Sequence, residues 1–115
     1  MTSSCIFCRI AKREVESDLL YQDDRVTAFR DTHPVAPTHI LVIPNKHIPS
    51  LNELLEEDLP LVGHMIMVAR QTAGREGILE GGYRIIVNTG SDGGQTVFHL
   101  HLHLIGGSRM RHGFG

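Results

Sequence analysis

From position 97 to 107 the chain reads VFHLHLHLIGG, apolar and imidazole side chains alternating almost one for one. A period of two marks a strand with one buried face. It predicts Phe98, Leu100, Leu102 and Leu104 in the core, with His99, His101 and His103 together on the opposite face. DLLYQ and RVTAFRD (25–31) predict two strands turning at Asp23-Asp24. THPVAP is broken into a loop by Pro34 and Pro37. THILVIP (Thr38–Pro44) is dense in β-branched residues and closed by proline, which predicts a third strand. GYRIIVN (82–88) predicts a fourth. Ile6, Phe7 and Ile10 share helical spacing, so a short N-terminal helix is expected to end before about Glu16.

A different period governs Leu59–Arg75. Leu59, Val62, Ile66, Ala69 and Ala73 form one apolar stripe, and Leu61, Met65, Val68 and Thr72 form a second beside it. The two predict one long helix capped by Asp58, with Pro60 tolerated in its first turn and Gly77 as its stop. Together they cover about half the cylinder, more than packing on one sheet requires. Either a second copy of the chain covers the excess, or the helix sinks that far into its own monomer. Strands linked by short turns around one long helix predict an α+β domain with a mainly antiparallel sheet. With no repeat or linker, residues 1–115 form a single domain, with 1–4 and 108–115 as tails.

Composition narrows the class of partner. The chain has 115 residues, 41% of them hydrophobic, and a net charge of -2. That balance gives no reason to expect nucleic acid or an anionic membrane as the main partner. No apolar run has bilayer length, and the N-terminus lacks a secretory core, so a cytoplasmic protein is expected. Cys5 and Cys8, three positions apart, are expected as reduced thiols available to a metal.

The histidine run excludes one arrangement outright. Positions i and i+4 on a strand lie ~13 Å apart, whereas ligand atoms sit ~2 Å from zinc, so three alternating histidines do not share an ion. The preceding TGSDGGQT (89–96) is a glycine-rich turn able to aim backbone N–H groups at an anion, although it has no Walker lysine. Gln95 and Thr96 add neutral donors. Neutral imidazole attacks phosphorus well, and a phosphohistidine intermediate splits one substitution into two easier ones. His101, the only one with an imidazole on either side, is the expected nucleophile, flanked by groups that stabilise the phosphoryl oxygens and leaving group.

GGQTVFHLHLHLIGG resembles the signature of the histidine triad superfamily, and YQDDRVTAFRD, APTHILVIPNKHI and GYRIIVNTGSDGGQ resemble its other segments in order. The chain is most similar to the histidine triad nucleotide-binding branch. This resemblance implies a five-stranded, mainly antiparallel sheet with one long and one short helix, assembled as a homodimer. It also implies hydrolysis of purine nucleoside phosphoramidates or acyl-adenylates through a nucleotidyl-histidine, with no metal in the chemical step. By the same resemblance His101 is the nucleophile, and His103, Gln95 and Thr96 surround the phosphate and leaving group beside Gly94. Asn88 is a phosphate contact, His39 supports the nucleophile from a neighbouring strand, and Asp31 grips the ribose. Ile6, Phe7, Ile10 and Phe29 form the base slot, at whose edge Thr32 stands where relatives often carry an apolar residue. Ordinary roles exist beside these: the four slot residues as core, Asp31 as a loop cap, Asn88 as a turn residue.

CIFC has the spacing of a zinc half-site. Relatives that pair such a motif with a histidine after the third strand and the first triad histidine imply Cys5, Cys8, His47 and His99 as ligands of a structural zinc; two buried thiols and an exposed His47 are the alternative. His33, His64 and His112 are expected at the surface, and the tail SRMRHGFG has no assigned role. Within the superfamily, the dinucleoside polyphosphate hydrolases are the rival reading, and a nucleotide-binding scaffold with incidental turnover is the non-enzymatic one. A nucleotidyltransferase is disfavoured, because that branch carries glutamine where His103 stands.

Overall fold

A computed structural model describes residues 4–110. Five strands form one antiparallel sheet: β1 (Leu19–Gln22), β2 (Val26–Arg30), β3 (Thr38–Pro44), β4 (Tyr83–Ile86) and β5 (Leu102–Gly106), in the order β1-β2-β3-β5-β4. The helices are α1 (Ile6–Ala11) and α2 (Leu59–Arg75). Every residue of β3 is buried, as expected of the central strand with a helix over each face.

Strand parity divides the molecule into two layers. Val26, Ala28, Ile40, Val42, Leu102 and Leu104 face α2, where they meet Met65, Val68, Ala69 and Ala73. Phe29, Leu41 and Ile43 face the other way and pack with Phe7 and Ile10 of α1. His39 and His103 share this second face by the same parity. The α2 layer is a sealed apolar core, and the α1 layer holds the imidazoles.

Helix α2 occupies the predicted residues. Gly77, at φ 74°, turns the chain back so that the Ile78 N–H reaches the Ala73 carbonyl (3.1 Å). Arg30 of β2 anchors that end through two bonds to Glu76 (2.8 and 3.0 Å). Asp58 sits at the N-cap, but its side chain makes no cap bond; it accepts from Lys46 Nζ (2.7 Å) and the Leu55 N–H (3.0 Å) instead. Leu59 and Ile66 are 62% and 50% exposed, so the chain's own sheet does not use the whole of the first apolar stripe.

Three further expectations need correction. The histidine strand does not begin at Val97: regular pairing starts at Leu102, and residues 97–101 approach as an irregular segment held by the Leu100 N–H to the Ile48 carbonyl (2.7 Å). Without sheet geometry to turn it inward, Phe98 is 54% exposed, whereas Leu100, Leu102 and Leu104 are buried. The fourth strand is shorter than predicted, because residues 87–89 already leave the ladder. His64 is a half-buried tie from α2 to the β1–β2 turn, with Nε2 2.6 Å from Asp23 Oδ2, which also accepts from the Tyr21 hydroxyl (2.6 Å). His33 is exposed, and His112 lies outside the described residues. Among the described residues, no helix is long and apolar enough to cross a membrane.

Candidate active site and metal centre

The three triad histidines have different surroundings. His101 is buried, and its Nδ1–H donates to the carbonyl of His99 (2.7 Å). That acceptor fixes the tautomer, because it places the proton on Nδ1 and the lone pair on Nε2. Burial lowers the His101 pKa, which keeps the ring neutral. The ring stands edge-on to Phe7 (5.1 Å between centroids).

His103 takes its tautomer from a relay. The Val35 N–H donates to His39 Nδ1 (3.1 Å), so the His39 proton resides on Nε2, 2.9 Å from His103 Nδ1. His103 therefore accepts at Nδ1 and carries a donor N–H at Nε2. Burial, then the neighbouring His101 and His39, push its pKa down to about 4, against the pull of Asp31. His39 thus contacts the last triad histidine, where a partner for the nucleophile was expected. Its Nε2 also lies 3.4 Å from Asp31 Oδ2. Asp31 Oδ1 accepts from the His33 N–H (2.8 Å), so this carboxylate does cap the loop while facing the histidines.

These groups open onto a cleft of about 530 Å³, within the ordinary range for small-ligand sites. Ile6, Phe7, Ile10, Phe29, Asp31, Thr32, Thr96, His101 and His103 all line it. Phe7, Ile10 and Phe29 are at once core and wall, and Ile6 is 42% exposed at the rim. One side is apolar and the other carries a lone-pair nitrogen, a donor imidazole, a hydroxyl and a carboxylate. Such a cleft suits a ligand with a flat apolar end and an electrophilic, anionic end.

Gln95 stands apart from that lining. It is buried, accepts from the Gly90 N–H at Oε1 (2.9 Å) and donates from Nε2 to the carbonyls of Pro49 (2.7 Å) and Val97 (3.0 Å). Its amide is spent on shaping the glycine-rich turn, and Gln95 does not line the cleft, where a place beside the phosphate was expected. Asn88 donates to the Gly93 carbonyl (2.8 Å) and lies close to Gly94. At Gly93 a Cβ would collide with the Thr89 carbonyl, which explains that glycine. Sequence reasoning missed the role of the Val35 N–H, since a main-chain donor in a loop leaves no trace in residue identity.

His99, expected on the same face as His101 and His103 and beside the nucleophile as well as at the metal, is wholly buried and does not line the cleft. Its Nε2–H donates to the Pro44 carbonyl (2.8 Å), leaving the Nδ1 lone pair toward Cys5 Sγ (3.3 Å), Cys8 Sγ (3.5 Å) and His47 Nδ1 (3.2 Å). Cys8 Sγ is 3.2 Å from His47 Nδ1, and all four ligand atoms lie within 4.8 Å of one another. Bonds of 2.0–2.3 Å place tetrahedral zinc ligands about 3.3–3.8 Å apart, so this set fits zinc closely. Cys5 is also the N-cap of α1, where its Sγ accepts from the Cys8 N–H (3.4 Å). The cluster joins the first turn of α1 to β3 and to the triad segment. A metal here would find four protein donors and no open position, which is a structural arrangement.

The family described as scavenger mRNA decapping enzyme C-term binding matches residues 4–113. A purine nucleoside phosphoramidase of Escherichia coli K12 is 54% identical over 93% of this chain and 90% of its own length. A histidine triad protein from Clostridium difficile superposes with a TM-score of 0.94 at 44% identity, covering 99% of this chain and 100% of that one. A HIT family hydrolase from Legionella pneumophila gives a TM-score of 0.92 at 44% identity, over 94% and 96% of the two chains. The sheet order, the alternating histidines and these likenesses agree: the chain belongs to the histidine triad (HIT) superfamily.

Proposed function

We propose that this protein is a purine nucleoside phosphoramidase working through a covalent nucleotidyl-histidine. The carrying observation is the His101 Nδ1–H bond to the His99 carbonyl, which leaves Nε2 as the nucleophilic nitrogen beside the cleft. The phosphoryl group sits against His101 and Thr96, the ribose against Asp31, and the base between α1 and Phe29. Nε2 attacks phosphorus, the P–N bond breaks, and a water that accepts from the His103 Nε2–H gives a proton to the departing nitrogen. The hydroxide left behind attacks the adduct, and the nucleoside monophosphate leaves on cleavage of the P–Nε2 bond. The apolar wall, together with the 54% identity to a purine nucleoside phosphoramidase, supports the substrate class.

Cys5, Cys8, His47 and His99 would hold a structural zinc, which pins α1 and takes no part in bond cleavage. Thiol ligands call for a reducing compartment, which supports a cytoplasmic setting. The exposed Leu59 and Ile66 on α2, with β4 as an edge strand carrying the partly exposed Ile85, support a homodimer. Ile66→Glu is expected to yield a folded monomer by sedimentation; an unchanged mass would remove α2 from the interface.

The test is release of AMP from adenosine 5′-phosphoramidate, with the acid-labile adduct trapped by rapid quench. Turnover and adduct in the wild type, both missing in folded His101→Ala, support the reading. Binding of AMP without turnover would favour the scaffold. Preferential cleavage of dinucleoside polyphosphates would move the chain to the rival branch.

A further inference from the structure

Phe29, Leu41 and His103 line the cleft on one row of register partners that continues across four strands. His103 on β5 is opposite Leu41 on β3, Leu41 is opposite Phe29 on β2, and Phe29 is opposite Leu19 on β1. At ~4.8 Å per strand, the row spans ~14 Å. The histidines stand at its β5 end. Val15, Glu16 and Ser17, just ahead of β1, line the cleft at the other. Helix α1 roofs the middle, where Phe7 packs edge-on to both His101 (5.1 Å) and Phe29 (5.5 Å).

This axis orients a purine. With phosphorus at His101 and the ribose at Asp31, the base lies over Leu41 and Phe29 with N9 toward the histidines. Its far edge, carrying N1 and the groups on C2 and C6, then meets residues 15–17. Glu16 brings a carboxylate there, which accepts hydrogen bonds and donates none. Guanine offers N1–H and an adjacent amino group at C2, a pair of donors that one carboxylate takes at its two oxygens. Adenine offers one donor, its amino group at C6, beside a lone pair at N1 that the same carboxylate repels.

We propose that Glu16 reads the purine edge and makes guanosine 5′-phosphoramidates the preferred substrates. This assignment rests on the nucleotide reading of the cleft given above. Glu16 is solvent-exposed, so water competes for its oxygens and the preference is modest.

The experiment measures kcat/KM for guanosine, inosine and adenosine 5′-phosphoramidates on wild type, Glu16→Ala and Glu16→Gln, with calorimetric binding of GMP and AMP to each. Wild type is expected to favour guanosine about tenfold, the scale of one charge-assisted pair at a wet rim. Inosine, which lacks the C2 amino group, falls between. Glu16→Ala brings guanosine and adenosine to within about twofold, the level at which no hydrogen bond discriminates. Glu16→Gln, whose amide pairs with adenine N1 and N6 as well as with guanine N1–H and O6, brings the ratio close to one. Equal use of guanosine and adenosine by the wild type, or a guanosine preference that survives Glu16→Ala, overturns the assignment. The binding arm separates it from the hydrolytic reading. Without any turnover, tighter GMP than AMP binding that is lost in Glu16→Ala upholds Glu16 and overturns only the hydrolysis.

Discussion

Two clusters containing imidazoles meet at the segment 99–103, and their difference shows how environment assigns chemistry to a residue type. Cys5, Cys8, His47 and His99 form one; Asp31, His39 and His103, beside His101, form the other. Each brings its ligand-capable atoms within 4.8 Å of one another. In the first, two thiols face two Nδ1 atoms and a backbone carbonyl holds the outer nitrogen of His99. In the second, a main-chain N–H starts a hydrogen-bonded relay that ends with a donor at the cleft. One cluster turns its lone pairs inward on a shared point, and the other runs its hydrogen bonds head to tail along a line. Two positions along the chain separate the proposed ligand from the proposed nucleophile.

The sharpest way to break this contrast is His101→Ala. It is expected to lower phosphoramidate turnover by about 10³-fold or more while circular dichroism stays native. Retained activity would move the nucleophile elsewhere. Next comes the closed cluster. Removal of the proposed zinc by a chelator, or Cys8→Ser, is expected to lower Tm by roughly 5–10 °C in calorimetry, since the site joins α1 to the sheet. The loss of kcat should be far smaller than for His101→Ala; equal losses would mean that the two clusters are not separate in function.

A pH titration sharpens the relay. The His103 pKa is about 4 in the folded chain against 6.5 for the free group. Between those values the unfolded chain binds the extra proton, so the contribution is intact above about pH 6.5 and lost as pH falls toward 4. Tm measured across this window should slope less in His103→Gln than in the wild type. Parallel slopes would take His103 out of the acid response. The smallest effect belongs to Phe98→Ser, expected within about 0.5 kcal/mol of wild type in urea denaturation, because the ring is exposed.

Period and breaker residues made most of the fold legible. The bounds of α2 and of β3 follow from the 3.6 spacing and from a proline-closed β-branched run. Alternation also identified Leu100, Leu102 and Leu104 as core, but it placed Phe98 inside as well. Two-residue periodicity describes side chains only where the backbone pairs, and at 98 it does not. Asp58 was legible as a cap by position, yet Lys46, twelve residues earlier, takes its carboxylate. Resemblance drew the four thiol and imidazole donors together, although His47 and His99 are far from Cys5 in sequence. Resemblance also named Gln95, but only the packing of Pro49 and Val97 around it shows which way its amide points.

The bond from His101 to the His99 carbonyl has an evolutionary corollary. The acceptor is a peptide oxygen, and every amino acid encoded at 99 supplies one. Mutation can therefore exchange the side chain at 99, a proposed metal ligand, without deleting the group that orients the proposed nucleophile. His103 has no such protection, because its orienting partner is the side chain of His39 and one codon change removes it. On the proposed roles, lineages would be free to gain or shed the metal while keeping the reaction, whereas drift at 39 would expose the donor at the cleft directly to selection.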